Sequence, residues 1–411
     1  MLSHVNLLLG SGPTYQRGDI VPYWPYFNEE HDRLREQIRA FVETEVTPFV
    51  QEWENHGAFP LSVLRKMGQK GWLGLRYPRT VGGQGRDYFS AIVLSEELGR
   101  CGAGGFAMAI AVQTEMATPP IMKFGTPEQI AHYLAPAITG EKLACIGITE
   151  PDHGSDVASI ETRATRVGEQ WVINGSKLFI TNGPRANFIT LVARTGNQSG
   201  YKGMSLFLVD LDRPGVSVEK ALDKVGMRSS DTALLHFDNV RVPLNSLLGE
   251  EDRGFYHIMW ELQGERLIGS VSSMALAHRA YELVKRQFEQ EPRSGHQRGR
   301  EVIQHQIANM DVEIEACRQL TYAVAQRFSQ DGGNSQDIAR DIAIAKIACA
   351  QMACRVIDEG VEILGSDGLI QGHPMERMWR DVRLKRIGAG TDEIMKEIIA
   401  RHLNLKHWER G

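Results

Sequence analysis

Long apolar runs are missing from this chain. Nowhere do its 411 residues approach the roughly 20 consecutive apolar positions that a membrane-spanning helix needs. Dense lysine and arginine runs are absent as well, and a formal net charge of −5 supplies no basic field for nucleic acid. Cysteine is scarce: Cys101, Cys145, Cys317, Cys349 and Cys354 are scattered, odd in number and without CxxC spacing. That usage argues against a disulfide framework and against a structural metal site, and it points to a reducing compartment; with no transit-peptide pattern in the sequence, the cytoplasm is expected rather than the mitochondrial matrix. The short run "VNLLLG" has no basic region before it and no small-residue cleavage pattern after it, so it does not read as a signal peptide. "RGDIVPYWPYF" is not the Arg-rich amphipathic pattern of a transit peptide; its prolines and aromatics suggest an extended arm packed on something. Internal repeats and low-complexity tracts are also missing.

What is present is enough apolar material, 42% of the residues, to bury large cores in two or three packed units. From Asn28 onward, Leu34, Ile38, Phe41, Val42 and Val46 recur at helical steps until Pro48 disturbs the run. Further helices are expected at "LSVLRKMGQKG", at "YFSAIVLSEELGR", across 105–124 and at "TPEQIAHYLAPAI". In the last of these, Thr126, Pro127 and Gln129 have the spacing of an N-cap, an N1 proline and a capping box. Near Glu141 the pattern changes to short Val-, Ile-, Phe- and Thr-rich segments such as "WVING", "KLFITN", "FITLVART" and "MSLFLVDL". After "LLGEEDRGF" the helical period returns, with long runs near 253–290, 301–329, 336–365 and 392–404, and "SQDGGNSQD" reads as a turn between two of them. The expected fold class is α+β, mostly α. Its parts are an N-terminal extension (1–26), a helical domain (27–140), a central β domain (141–250) and a C-terminal helical bundle (251–411).

Two short segments carry possible chemistry. "GITEPDHGSD" at 147–156 is a strand end and a proline-marked turn, after which Gly154 and Ser155 offer backbone N–H groups and a hydroxyl to phosphate or carbonyl oxygens. An ordinary solvent-facing turn uses the same residues. In "KLFITNGP", Phe179 and Thr181 are two apart, which puts both on one strand face, where the ring can stack on a flat heterocycle while the hydroxyl bonds its edge. Alone, this pair also suits plain sheet packing.

Together the two segments resemble the acyl-CoA dehydrogenase family, and the likeness extends from about Phe27 to Leu405. In the family's first signature, Gly147, Ile148, Thr149, Glu150, Gly154, Ser155 and Asp156 match, while His153 replaces a small residue. "FITNG", "KVGMRSSDTALLHFDNVRVP", "LLGEEDRGF" and "GAGTDEIMKEIIAR" add to it. The resemblance implies a C-terminal four-helix bundle at the core of a homodimer or homotetramer, with FAD between the β domain and that bundle. It also implies α,β-dehydrogenation of an acyl-CoA substrate and electron transfer to an electron-transfer flavoprotein. Carried over by position, Ile146, Ile148, Thr149, Gly154 and Ser155 run along the flavin, Phe179 packs on it, Thr181 bonds near N5, and Thr391 and Glu393 reach FAD from the last helix. Ser155, Gln263, Arg266, Ala389 and Gly390 fall at substrate positions. The helix holding "GFAMAIAVQTEMATPPIM" would line the acyl pocket, although its alanines are equally explained as good helix formers.

Many members of the family hold their catalytic glutamate immediately before the Gly-Thr pair of the last loop, where this chain has Ala389. The isovaleryl- and long-chain-specific enzymes supply it from a bundle helix instead, and the matching position in "IMWELQGERLIGS" is Glu265, followed by Arg266. A solvated helix carboxylate is the plain alternative. Glu261, four residues earlier on the same face, is the fallback base. Other positions depart from the family. The cross-subunit segment that usually meets the FAD diphosphate reads Gln290, Arg293 and Ser294, so Arg293 is either a displaced diphosphate contact or a solvated loop arginine. In the second signature Glu362, Gly365, Ser366 and Gly368 are acceptable, but Gly372 replaces an acidic residue. These departures bear on FAD affinity. The altered cross-subunit segment also keeps a non-catalytic assembly partner open, beside two enzymatic rivals: an enzyme acting on carrier-protein thioesters and an oxidase.

Overall fold

A computed structural model of the chain describes residues 26–198, 200–290, 297–332 and 335–405. Most of the N-terminal arm and Arg293 lie outside these ranges. The α+β class with dominant helix holds. Helix α1 (Glu29–Phe41) starts at Asn28, whose side chain accepts from the Glu30 and His31 N–H groups, and buries Leu34, Ile38 and Phe41. The apolar face runs on through a π turn (Val42–Val46) and a 3₁₀ turn (Thr47–Phe49) containing Pro48, then α2 (Val50–His56) begins. Helices α3 (Leu61–Gln69) and α4 (Tyr88–Gly99) follow.

The single helix expected across 105–124 is instead α5 (Gly104–Ala111), a π turn (Val112–Ala117) and α6 (Pro119–Phe124). Pro119 and Pro120 supply no N–H to the preceding turn, so a continuous ladder is impossible there. Helix α7 (Pro127–Gln129) carries the expected capping box. Thr126 Oγ1 accepts from Gln129 N at 3.2 Å and Gln129 Oε1 accepts from Thr126 N at 3.0 Å. A further π turn leads into α8 (Ala135–Ile138).

The middle of the chain forms one sheet of β1 (Ala144–Gly147), β2 (Arg163–Val167), β3 (Gln170–Thr181), β4 (Phe188–Arg194), β5 (Met204–Asp210), β6 (Val216–Ala221), β7 (Thr232–Pro243) and β8 (Leu247–Leu248). Their order is β6-β7-β3-β2-β4-β5-β8, with β1 parallel to β4. "WVING" and "KLFITN" are two halves of β3, whose pairing with β7 is irregular between Lys177 and Ile180. Every residue of β4 is buried, consistent with its unbroken apolar run.

Helices α9 (Gly254–Gln290), α10 (Gln297–Asp331) and α11 (Gln336–Leu364) dominate the C-terminal region. Helix α12 (Pro374–Asp381), which the sequence reading missed, is capped by His373 and starts at Pro374; α13 (Asp392–His402) closes the described fold. Buried polar bonds fasten the regions to each other. Asp381 accepts from Gly104 N at 2.8 Å and Met227 N at 2.5 Å, Glu54 accepts from Ser229 N at 2.7 Å, and Arg377 donates to Gly102 O at 3.0 Å. No helix among the described residues is long and apolar enough to cross a membrane.

Candidate active site

The β-domain side of the site is held by a buried carboxylate. Glu150, in the turn after β1, accepts from Lys177 Nζ at 2.7 Å, from Thr162 N at 2.9 Å and from Glu161 N at 2.5 Å, and Lys177 also donates to Ile148 O at 3.0 Å. Burial pushes the Glu150 pKa up, but Lys177 and the N–H donors outweigh it and hold the group below its ordinary value. Lys177 is 0% exposed, and burial holds it down to about 8 even beside Glu150. With Leu178 N bonded to Thr149 O at 2.9 Å, the 147–156 turn is fixed against β3. Ile146, Ile148 and Thr149 are half-buried along this strip, and Gly154 and Ser155 stand exposed at its end. His153 points away toward Glu161, 3.7 Å distant.

Beside the strip, Phe179 has φ +61° and its ring is 64% exposed. The strand irregularity interrupts simple alternation, so Phe179 and Thr181 are not the plain same-face pair that the spacing suggests; Thr181 stays half-buried and paired with Thr232. Asn182, fully buried, donates to Ala109 O at 3.0 Å and Ala144 O at 3.3 Å, tying α5 to β1. An exposed aromatic on an uncommon positive-φ residue, flanking an open Gly-Ser turn, fits a flat, phosphate-bearing ligand.

The helical side is built from α9, α11 and the loop before α13. Ala389 has φ +58° and Gly390 φ +95°. Arg266 Nε donates to Ala389 O at 3.0 Å, and Lys346 Nζ donates to Gly390 O at 2.6 Å, so two buried cations grip the loop carbonyls. Gly388 N is bonded to Leu384 O at 2.9 Å, so with those carbonyls held back the Ala389 and Gly390 N–H groups are left for another partner. Thr391 caps α13, accepting from Ile394 N at 3.4 Å. Asp392 is buried and bonded to Arg386 and Gln351, while Glu393 is exposed on the first turn.

Glu265 and Glu261 behave differently although they share a face. Glu265 is half-buried, and burial raises its pKa to about 7 against the pull of Arg266 and Lys346. Glu261 is 2% exposed and neither of its oxygens has a hydrogen-bond partner. Burial and then the Glu265 charge drive its pKa well above the carboxylate range, with Arg266 opposing and Glu115 adding to the rise. Of the two, Glu265 is the more readily ionised, being the more open and facing Lys346 as well as Arg266. Gln263 is buried, donating to Met259 O at 3.1 Å with its Oε1 unpartnered.

Not every expected residue joins this cluster. Glu362 and Gly365 are exposed at the C-terminal end of α11, and Glu362 stands sixteen residues, about 24 Å along the axis, from Lys346. Lys346 itself was missed. Its only signal in the sequence is a lone cation in the apolar run "DIAIAKIACAQMA". Among the described residues no His, Cys, Asp and Glu grouping is placed to hold a metal, and all five cysteines are free and buried.

Comparison with known proteins matches this arrangement over almost the whole chain. The models of the acyl-CoA dehydrogenase N-terminal, middle and C-terminal domains match residues 28–141, 145–240 and 252–404. The short-chain specific acyl-CoA dehydrogenase of Bos taurus mitochondria is 33% identical over 377 residues, covering 91% of this chain and 90% of the relative. A probable acyl-CoA dehydrogenase from Mycobacterium abscessus superposes with a TM-score of 0.88 at 37% identity, covering 92% of this chain and 100% of that one. An acyl-CoA dehydrogenase complexed with FAD from Bacillus anthracis superposes with a TM-score of 0.85 at 29% identity, covering 92% of this chain and 67% of that one. The chain therefore belongs to the acyl-CoA dehydrogenase family, whose enzymes depend on FAD.

Proposed function

We propose that this protein dehydrogenates an acyl-CoA thioester between Cα and Cβ, with Glu265 as the base that removes the α-proton. The observation that carries the assignment is the half-buried Glu265 carboxyl, with a pKa of about 7, on the wall whose two cations grip the Ala389–Gly390 loop. A base with this proton affinity is largely ionised just above neutrality and accepts a proton without a large penalty. Glu261, held protonated, does not serve. This placement of the base on a bundle helix is the arrangement of the isovaleryl- and long-chain type.

Ile146, Ile148, Thr149, Gly154, Ser155, Phe179, Thr181, Thr391 and Glu393 would hold FAD, which supplies the acceptor for the β-hydrogen as hydride. The thioester carbonyl would lie against the loop at Ala389 and Gly390, where the Ala389 N–H stabilises the charge that develops on its oxygen. Arg266 and Lys346 keep that N–H in place by holding the neighbouring carbonyls. Ser155 and Gln263 complete the substrate contacts. Arg293, Glu362 and Gly365 would serve FAD across a subunit boundary in a homodimer or homotetramer, which accommodates the exposed position of the last two. Electrons would leave to an electron-transfer flavoprotein, and the free cysteines suit a reducing compartment such as the cytoplasm.

The test is Glu265→Gln, mixed anaerobically with acyl-CoAs from short branched to long straight chains. FAD should stay bound while its absorbance no longer bleaches. Reduction at the wild-type rate would remove Glu265 from the role.

A further inference from the structure

One set of buried polar groups has no part in the chemistry above, and it begins one helical turn from the base. Glu261 precedes Glu265 by four residues, about 6 Å along α9. Facing α9 is the π turn Val112–Ala117, which carries the buried Glu115. Arg76 pairs with Glu115 at 2.9 Å and lies 4.8 Å over the ring of Tyr88, whose buried hydroxyl has no hydrogen-bond partner. The Tyr88 ring packs 4.9 Å from Phe328. Near Glu261, Ile258, Leu262, Ala117 and Ile121 belong to one buried apolar cluster, and Arg266 and Glu265 act on it through space. Leaving a carboxyl and a phenol unsatisfied there costs about 1–3 kcal/mol each, which an all-carbon ligand does not offset.

We infer that Glu261, Glu115 and Tyr88 form a hydrogen-bonding subsite for an uncharged hydroxyl group carried on the acyl chain beyond the reacting carbons. This rests on the acyl-thioester reading above. With the thioester head against the 388–390 loop and the α-carbon at Glu265, the proposed path of the tail runs on along α9 to Glu261, one turn away. Protonated Glu261 offers one donor and one acceptor, and Tyr88 offers the same. Arg76 is already engaged by Glu115 and Arg266 faces the Glu265 charge, which leaves no uncompensated cation for a carboxylate tail; the balance of the set suits a hydroxyl better than either charged group.

The experiment compares acyl-CoAs of equal length that are unsubstituted, hydroxylated, carboxylated or aminated along the distal chain. It reads kcat/KM by flavin reduction, and calorimetric Kd on the Glu265→Gln holoenzyme, which binds without turning over. The hydroxylated thioester is expected to exceed the unsubstituted one by at least about tenfold in both readouts. Glu261→Leu should invert that ratio. Tyr88→Phe, which keeps the ring and its packing, should shrink it severalfold even where the leucine variant folds poorly. A wild-type preference for the plain, carboxylated or aminated chain overturns the inference while the dehydrogenase reading stands, as does a ratio unmoved in both variants. Failure of every thioester to reduce the wild-type flavin overturns both.

Discussion

The β domain and the helical wall each bury a carboxylate beside a lysine, with opposite results. Glu150 and Lys177 saturate each other: three N–H or ammonium donors converge on the carboxylate, and the ammonium has a second acceptor in Ile148 O. The carboxylate is held ionised and has nothing left to offer. On the helical wall, Lys346 and Arg266 spend their hydrogen bonds on the carbonyls of Gly390 and Ala389 and act on Glu265 only through space. Glu265 keeps a free, easily protonated carboxyl. A signature glutamate such as Glu150 can thus be architecture, while the helix glutamate proposed as the base is one whose neighbours leave it under-satisfied.

That contrast breaks most sharply at the two carboxylates. Glu265→Gln should lower kcat by about 10²–10⁴-fold, the usual worth of a positioned general base, with the thermal midpoint little changed. Lys177→Met should do the reverse. It strands Glu150 in the interior and should cost about 3–5 kcal/mol of stability, read by denaturant unfolding, with FAD lost as the 147–156 turn loosens. A Lys177 variant of unchanged stability would show that the pair is not the fastening it looks like.

Smaller effects refine the helical side. Rate should rise with pH through about 7 as Glu265 ionises, seen in the acid limb of kcat/KM. Lys346 stabilises the ionised form, so Lys346→Met should move that limb to higher pH and lower kcat/KM at neutrality, without a matching loss of FAD. A limb that stays put would place the lysine's role in the loop alone. Phe179→Ala, on the open strip, should weaken FAD binding by about 0.5–1.5 kcal/mol, measured by flavin release on dilution, and leave folding intact because the ring is exposed.

Much of this was legible in the sequence. The capping box at Thr126, the apolar face from Leu34 to Val46 and the alternation of helical and strand regions follow from local periodicity, and the motifs around Glu150 and Thr391 lie on the two walls of the candidate site. What escaped is what periodicity does not encode. Helix α12 is short and strongly charged, the 105–124 helix is split by two adjacent prolines, and the strand irregularity at Phe179 depends on how β3 pairs with a partner fifty residues away. Lys346 looks like a stray cation because its acceptor, Gly390 O, is 44 residues on.

The sequence by itself determined the family, the order of the domains and the fact that Ala389 stands where a base might be sought, because motif spacing and side-chain identity are written locally. Only the tertiary structure distinguishes Glu261 from Glu265. Both are glutamates on one face of one helix, and nothing local separates them. The difference comes from where α9 lies against the π turn and α11, which seals Glu261 away from every partner and leaves Glu265 half-open between Arg266 and Lys346. Proton affinity is set by surroundings, and the surroundings exist only once the chain has folded.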